Sequence, residues 1–167
     1  MEMDIHVFWE GPFNINELER INDENKDYGV YQIYGHHPLY GNNVLLYIGQ
    51  AQQQTFGKRI PQENWQNLSD PDNAQVYVGR LAGKNKISSD KWNTLIEQTE
   101  KLLIYAHQPA FNTQSTKSLP EADVMENKIY NWHSHRDLFP EVSGRRFTSR
   151  FDHIVEEHIY DDSRVLD

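Results

Sequence analysis

Cysteine is absent from all 167 residues. That excludes a disulfide framework, a thiolate zinc site and a cysteine nucleophile. Long apolar runs are missing too. No stretch approaches the ~20 residues that a membrane helix needs, so no membrane partner is expected. The opening MEMDIHVFWEG is acidic and lacks the basic-then-apolar order of a secretory signal. Together these absences predict a soluble chain held in a reducing, cytoplasmic interior. No glycine-rich phosphate loop follows a strand-like run, and no Gly-x-Ser-x-Gly elbow occurs. Positive charge is also scarce, with 16 Lys and Arg against 25 Asp and Glu. Taken globally, that balance argues against a nucleic-acid partner.

What is present changes the picture. Four Trp, nine Tyr and seven Phe give enough large rings to build a folded core, and the length fits a single domain, 1–167. The acidity is uneven. Residues 1–27 carry two basic against eight acidic side chains, residues 28–112 seven against six, and residues 113–167 seven against eleven. The middle of the chain is close to neutral, and a local cleft there can carry either sign.

The pattern of elements is α+β. Ile5, Val7 and Trp9 alternate as in a strand that Gly11-Pro12 would end. Asn14 or Asn16 can cap a short helix through Leu18 and Ile21. Residues 28–34 and 44–50 are β-branched and aromatic, which predicts two antiparallel strands joined by a turn-rich loop over 36–43. Residues 56–68 suggest a helix with Pro61 in its first turn or breaking it, and residues 74–81 a third strand. Ser88 or Ser89 caps the best helix, 90–107, which Pro109 closes. A loop is expected over 113–125, a short helix or strand over 126–133, a loop over 137–146 and a last strand over 147–154.

Chemistry-bearing side chains recur in the middle segment. On the long helix the apolar stripe centres near Thr99, which leaves Glu100 about 100° away on its flank and Glu97 about 160° away on the solvent face. Glu100 is therefore the carboxylate placed to look into a cleft. Tyr31 and Tyr47 lie on adjacent strands and can share a face, although such pairs usually serve packing. Arg59 offers a planar guanidinium suited to phosphate. His36 and His37, and His133 and His135, form two His pairs without supporting metal spacing. The segment 144–151 interleaves Arg145, Arg146 and Arg150 with Phe147 and Phe151, a composition that suits either a nucleic-acid surface or an amphipathic strand.

Gly29-Val30-Tyr31, then Tyr47-Ile48-Gly49, then Arg59, then Glu100 followed by a Leu-Leu-Ile run, Pro109 and Asn112, resembles the signature of GIY-YIG nucleases in order and spacing. The resemblance covers residues 28–112. It implies a small three-stranded antiparallel sheet flanked by helices, with N- and C-terminal elaborations. It also implies hydrolysis of DNA phosphodiesters with one Mg²⁺ or Mn²⁺. In that reading Glu100 binds the metal and Arg59 holds the phosphate. One of Tyr31 and Tyr47 takes a proton from the attacking water, its pKa lowered by Arg59 or Lys58. Asn112 ties the helix end to the sheet or to a tyrosine. Tyr31, Tyr47, Arg59 and Glu100 should then line one cleft.

Two positions depart from the pattern. Gln50 stands where several members carry Lys, and Lys58 is the substitute at hand. Glu63 stands where some restriction enzymes carry His; it can bind metal, accept a proton or simply be solvated. Three readings follow: an endonuclease, a repair-type incision nuclease, and a DNA-binding module that has lost catalysis. A single site cuts one strand at a time, so double-strand cleavage needs a homodimer or two successive events.

Overall fold

The computed structural model describes residues 3–64, 70–83, 89–116 and 121–144. In chain order it runs β1 (Asp4–Phe13), a 3-10 helix (Ile15–Ile21), β2 (Gly29–His37), β3 (Gly41–Ala51), α1 (Phe56–Arg59), β4 (Gln75–Leu81), α2 (Asp90–His107), α3 (Ala122–Met125), β5 (Lys128–His133) and β6 (Glu141–Ser143). The strands expected before residue 82 and the capped helix are present. Ser89 Oγ accepts from Trp92 N at 3.3 Å, and Gln108 ends α2 in the left-handed conformation.

The sheet corrects the three-stranded expectation. It has six strands in the order β3-β2-β4-β1-β5-β6 and is mixed, not purely antiparallel. β3, β2 and β4 do form the antiparallel trio. The free edge of β4 is then taken by β1, antiparallel, with Val7 opposite Leu81 and Trp9 opposite Gly79. β5 adds parallel to β1, with Ile5 opposite Ile129, and β6 closes that side antiparallel to β5. The physical reason is edge pairing: a half-buried strand carries unsatisfied amides on both sides. Gly11-Pro12 does not end β1 either; the strand shifts register between Glu10 and Phe13 and continues. The hairpin loop is shorter than expected, with only residues 38–40 in the turn. The loop over 113–125 yields to α3 at its end, 126–133 resolves as β5, and β6 interrupts the loop expected over 137–146. The strand expected over 147–154 lies outside the described residues.

Alternation along the strands divides the core between two faces. Val30, Tyr34, Ile48, Val7 and Trp9 join one cluster with Trp92, Leu95, Ile96, Leu102 and Leu103 of α2. Burying side chains of that size contributes about 1.5–3 kcal/mol each. Tyr31, Ile33, Val76 and Val78 face the other way, onto Leu18 and Ile21 of the 3-10 helix and Phe56 of α1. The sheet is thus sandwiched at its β3-β2-β4 end, and β3 is the edge at which both helical layers meet. A buried ion pair ties the second layer down: Arg80 on β4 reaches the fully buried Asp27 at 2.6 Å and Glu10 at 2.7 Å.

The helix expected over 56–68 is much shorter. α1 ends at Arg59, and a 3-10 turn, Ile60–Gln62, follows around Pro61. Glu63 then adopts an extended backbone, ψ 144°. No helix among the described residues is long and apolar enough to cross a membrane.

Gly29, the first residue of β2, has a required identity. Its φ is +143°, and a Cβ there would stand 2.1 Å from the carbonyl oxygen of Gly79. Gly29→Ala is expected to cost about 2–4 kcal/mol of stability through backbone strain and displacement of β4. Urea unfolding monitored by tryptophan fluorescence measures this; an unchanged midpoint contradicts the close approach of β2 to β4 at Gly79.

Candidate active site

Tyr31 and Tyr47 project from neighbouring strands on one face, with ring centroids 6.2 Å apart. The glycine at position 49 makes that possible. A Cβ there would lie 2.5 Å from the Tyr31 hydroxyl and 2.7 Å from the Tyr47 ring, so Tyr31 lies across bare backbone. The Tyr31 hydroxyl donates to Glu63 Oε1 at 2.7 Å. The same oxygen takes Arg59 Nη2 at 2.6 Å. One carboxylate oxygen therefore ties the sheet to the α1 segment. Glu63 is not solvated; its side chain is 15% exposed. The Tyr31 and Arg59 contacts draw it inward, where a lone surface carboxylate would face water.

Glu100 approaches from α2 on the opposite layer, at the β3 edge. Its carboxyl is pushed up to about 7, first by burial and next by the negative charge of Glu63, with Arg59 opposing. Glu97 lies one turn away and pairs with Lys101 at 2.7 Å on the solvent side, as the helix angles predict. Tyr47 and Glu100 line a cavity of about 260 Å³ with Ile104, Phe111, Asn112 and residues 113–115. A second recess of about 280 Å³ is lined by Arg59, Gln50 and Gln52 to Gln54.

Asn112 has a structural task. Its side-chain amide donates to Ile48 O and accepts from Ile48 N, both at 2.9 Å. Ala110 N and Phe111 N donate to Leu45 O and Leu46 O. The segment after α2 thus closes the outer edge of β3, and it fixes where Glu100 sits relative to Tyr47. Asn112 binds the strand backbone, not a tyrosine.

The four residues expected to line one cleft do not share one: Tyr47 and Glu100 line one cavity, Arg59 lines the other recess, and Tyr31 is fully buried. Tyr31 and Arg59 meet instead on Glu63, whose charge also reaches Tyr47 and Glu100. The expectation of an acidified tyrosine is corrected. Burial pushes the Tyr47 hydroxyl up to about 12, and the charges of Glu63 and Glu100 add to it more than Arg59 removes. Tyr31 is likewise pushed well above the ordinary tyrosine value, by burial and by Glu63. Burial is the first cause in both, and anion excess adds to it: Glu63 occupies Arg59, and Lys58 turns away to pair with Glu24 at 2.8 Å. Lys58 therefore does not replace the missing charge at Gln50, whose side chain is engaged by Gln52 Nε2. The two tyrosines also separate by access. Tyr31 is 0% exposed, whereas Tyr47 lines the open cavity. Arg145, Arg146 and Arg150 lie outside the described residues. The histidines are engaged elsewhere: His36 with Asn42, His37 stacked on Tyr40, His133 against Phe8 and His135 with Leu138 O. Phe111 and residues 113–115 are lining that the sequence does not announce. They follow directly after Pro109, a position that sequence reading assigns only to a loop.

The donor set fits a small hard cation. Glu100 offers a poorly solvated carboxylate without an ion pair among the described residues, beside the Tyr47 oxygen. Among those residues no group of three or more His, Asp or Glu is placed to hold a metal. Mg²⁺ characteristically takes only one or two carboxylates and keeps several waters. The chain matches no family model, no curated protein and no solved structure.

The raised Glu100 pKa has a definite linkage sign. The folded state holds the proton more tightly than the unfolded chain, whose carboxyl titrates near 4.5. The stabilising effect is complete below that value and is lost as pH rises through about 7. In EDTA, Glu100→Gln is therefore expected to stabilise the protein at about pH 8 and to have little effect at about pH 4. Denaturation at both pH values checks this; a variant no more stable than the parent at the higher pH contradicts it.

Proposed function

We propose that this chain is a divalent-metal-dependent DNA endonuclease of the GIY-YIG type. The observation that carries the reading is the gathering of Tyr31 and Arg59 on the Glu63 carboxylate, with Tyr47 beside Tyr31 and Glu100, from the other helical layer, sharing a cavity with Tyr47 and feeling the charges of Glu63 and Arg59. Packing alone does not require a guanidinium, two phenols and a desolvated carboxylate to share one place.

Each side chain then has a task. Tyr47, the tyrosine that reaches the cavity, takes the proton of the attacking water. Tyr31, sealed from solvent, anchors Glu63 and keeps the Tyr47 ring in register. Arg59 binds the scissile phosphate and stabilises the charge that grows on its oxygens. Glu100 holds the metal, with Glu63 close enough to share its field. A bound Mg²⁺ or Mn²⁺ supplies Lewis-acid polarisation and the positive charge that an acidified phenol needs. Asn112 keeps β3 and α2 in fixed relation. A homodimer would let two such sites cut both strands.

One observation favours a second reading, a DNA-binding module without catalysis. Arg59 is neutralised, the position after Gly49 is an uncharged Gln, and both phenols are hard to ionise.

Cleavage of supercoiled plasmid separates the two. With Mg²⁺ or Mn²⁺ the protein is expected to nick DNA, Tyr47→Phe and Arg59→Ala to lose about 10²–10⁴-fold in rate, and Glu100→Ala to be without detectable activity. Tyr31→Phe should be milder than Tyr47→Phe. DNA binding without nicking in either metal overturns the nuclease and supports the binding module.

A further inference from the structure

The guanidinium that should hold phosphate already holds an anion. Arg59 Nη2 lies 2.6 Å from Glu63 Oε1, and Glu63 is its ion-pair partner among the described residues. The contact is accessible to competition from one side. Arg59 is 34% exposed and lines the recess with Gln50, whereas Glu63 is 15% exposed and is fastened on its inner side by the Tyr31 hydroxyl. An incoming phosphate can thus reach Arg59 without first displacing Glu63, and Glu63 need not leave when Arg59 does. Tyr31 is itself fixed, fully buried and packed edge-on against Phe56. The carboxylate stays while the guanidinium exchanges.

We propose that Glu63 is a positioning residue that holds Arg59 in place before substrate arrives, and that a phosphodiester of DNA takes the guanidinium from it by anion exchange. The inference rests on the nuclease reading for the identity of the anion. Glu63 is a stand-in for phosphate: it puts a negative charge and one oxygen, Oε1, on the guanidinium Nη2. Its presence makes phosphate binding weaker than a free arginine would allow. In return, Arg59 is kept from the many rotamers of an unpaired side chain. The charges facing Glu63 are Arg59 from α1 and Glu100 from α2, with the Tyr31 and Tyr47 phenols from the sheet. Once Arg59 moves to phosphate, Glu63 is left facing Glu100 with less neutralisation, so substrate and cation binding should favour one another.

The test uses the full chain in EDTA, where no cleavage occurs, as parent, Glu63→Gln, Arg59→Ala and the double variant. The Gln amide oxygen can still accept from Tyr31, but it carries no charge to hold Arg59. Two readouts are taken: fluorescence anisotropy with a labelled DNA duplex, and the rate of phenylglyoxal labelling of Arg59 by peptide mass spectrometry, with and without inorganic phosphate. Glu63→Gln is expected to bind the duplex about fivefold more tightly, a gain absent from the double variant, and to label several times faster. A purely structural Glu63 would weaken binding on removal, not tighten it. Unchanged labelling, DNA affinity unchanged or reduced, or a gain that survives in the double variant overturns the proposal. If no protein binds DNA, yet phosphate protects Arg59 in Glu63→Gln better than in the parent, the exchange stands and the nuclease reading falls. If phosphate does not protect either, both fall.

Discussion

A single carboxylate oxygen, Glu63 Oε1, receives both the Tyr31 hydroxyl and the Arg59 guanidinium. Most of the site's geometry follows from that sharing. Tyr31 is immobile in the sheet, so Glu63 is anchored, and Arg59 is brought to the tyrosines instead of extending into solvent. The same anion has an electrostatic cost. It occupies the Arg59 guanidinium and adds to the burial that raises Tyr47 and Glu100. Positioning follows from that contact, which also adds to the poor phenol acidity that burial begins.

The second constraint is the β3 edge. An edge strand flanked by both helical layers is a place where side chains from opposite faces of a sheet can meet. Arg59 and Glu63 come from one layer, Glu100 from the other, and Tyr47 from the strand between. The segment that follows α2 is held against β3 by Asn112, whose amide pairs with both backbone groups of Ile48. A polar side chain thereby substitutes for a neighbouring strand and leaves the phenol end of Tyr47 open to the cavity.

Much of this is legible in the sequence. Helix α2 is legible in its extent, because a serine cap and Pro109 bound its apolar stripe; the structure decides for Ser89 over Ser88. Its stripe correctly places Glu97 outward and Glu100 at the flank. The β2-β3-β4 trio follows from β-branched and aromatic runs, and the motif glycines have local explanations in the Gly79 carbonyl and the Tyr31 ring. Less visible is anything set by long-range pairing. β1 joins β5 across more than a hundred residues, and no local periodicity announces a partner at that distance. Glu63 is obscured for a different reason. Its role depends on the chain leaving helical geometry after Gln62, and a Pro-containing segment permits either outcome. The tyrosines' ionisation is misread from sequence because their burial is not visible there, and because a cation nearby in the chain, Lys58, is drawn away by Glu24, a residue 34 positions earlier.

Everything proposed for catalysis requires that one pocket at the β3 edge bind the metal. Tyrosine-selective carbon-13 NMR with substoichiometric Mn²⁺ tests this directly, because paramagnetic broadening falls steeply with distance. Tyr47 should broaden first and Tyr31 next, with Tyr40 at the hairpin tip and Tyr130 on β5 unaffected, and Glu100→Gln should abolish the selectivity. Broadening that spares Tyr47, or that is the same in the variant, would place the cation elsewhere and contradict a metal site built on Glu100.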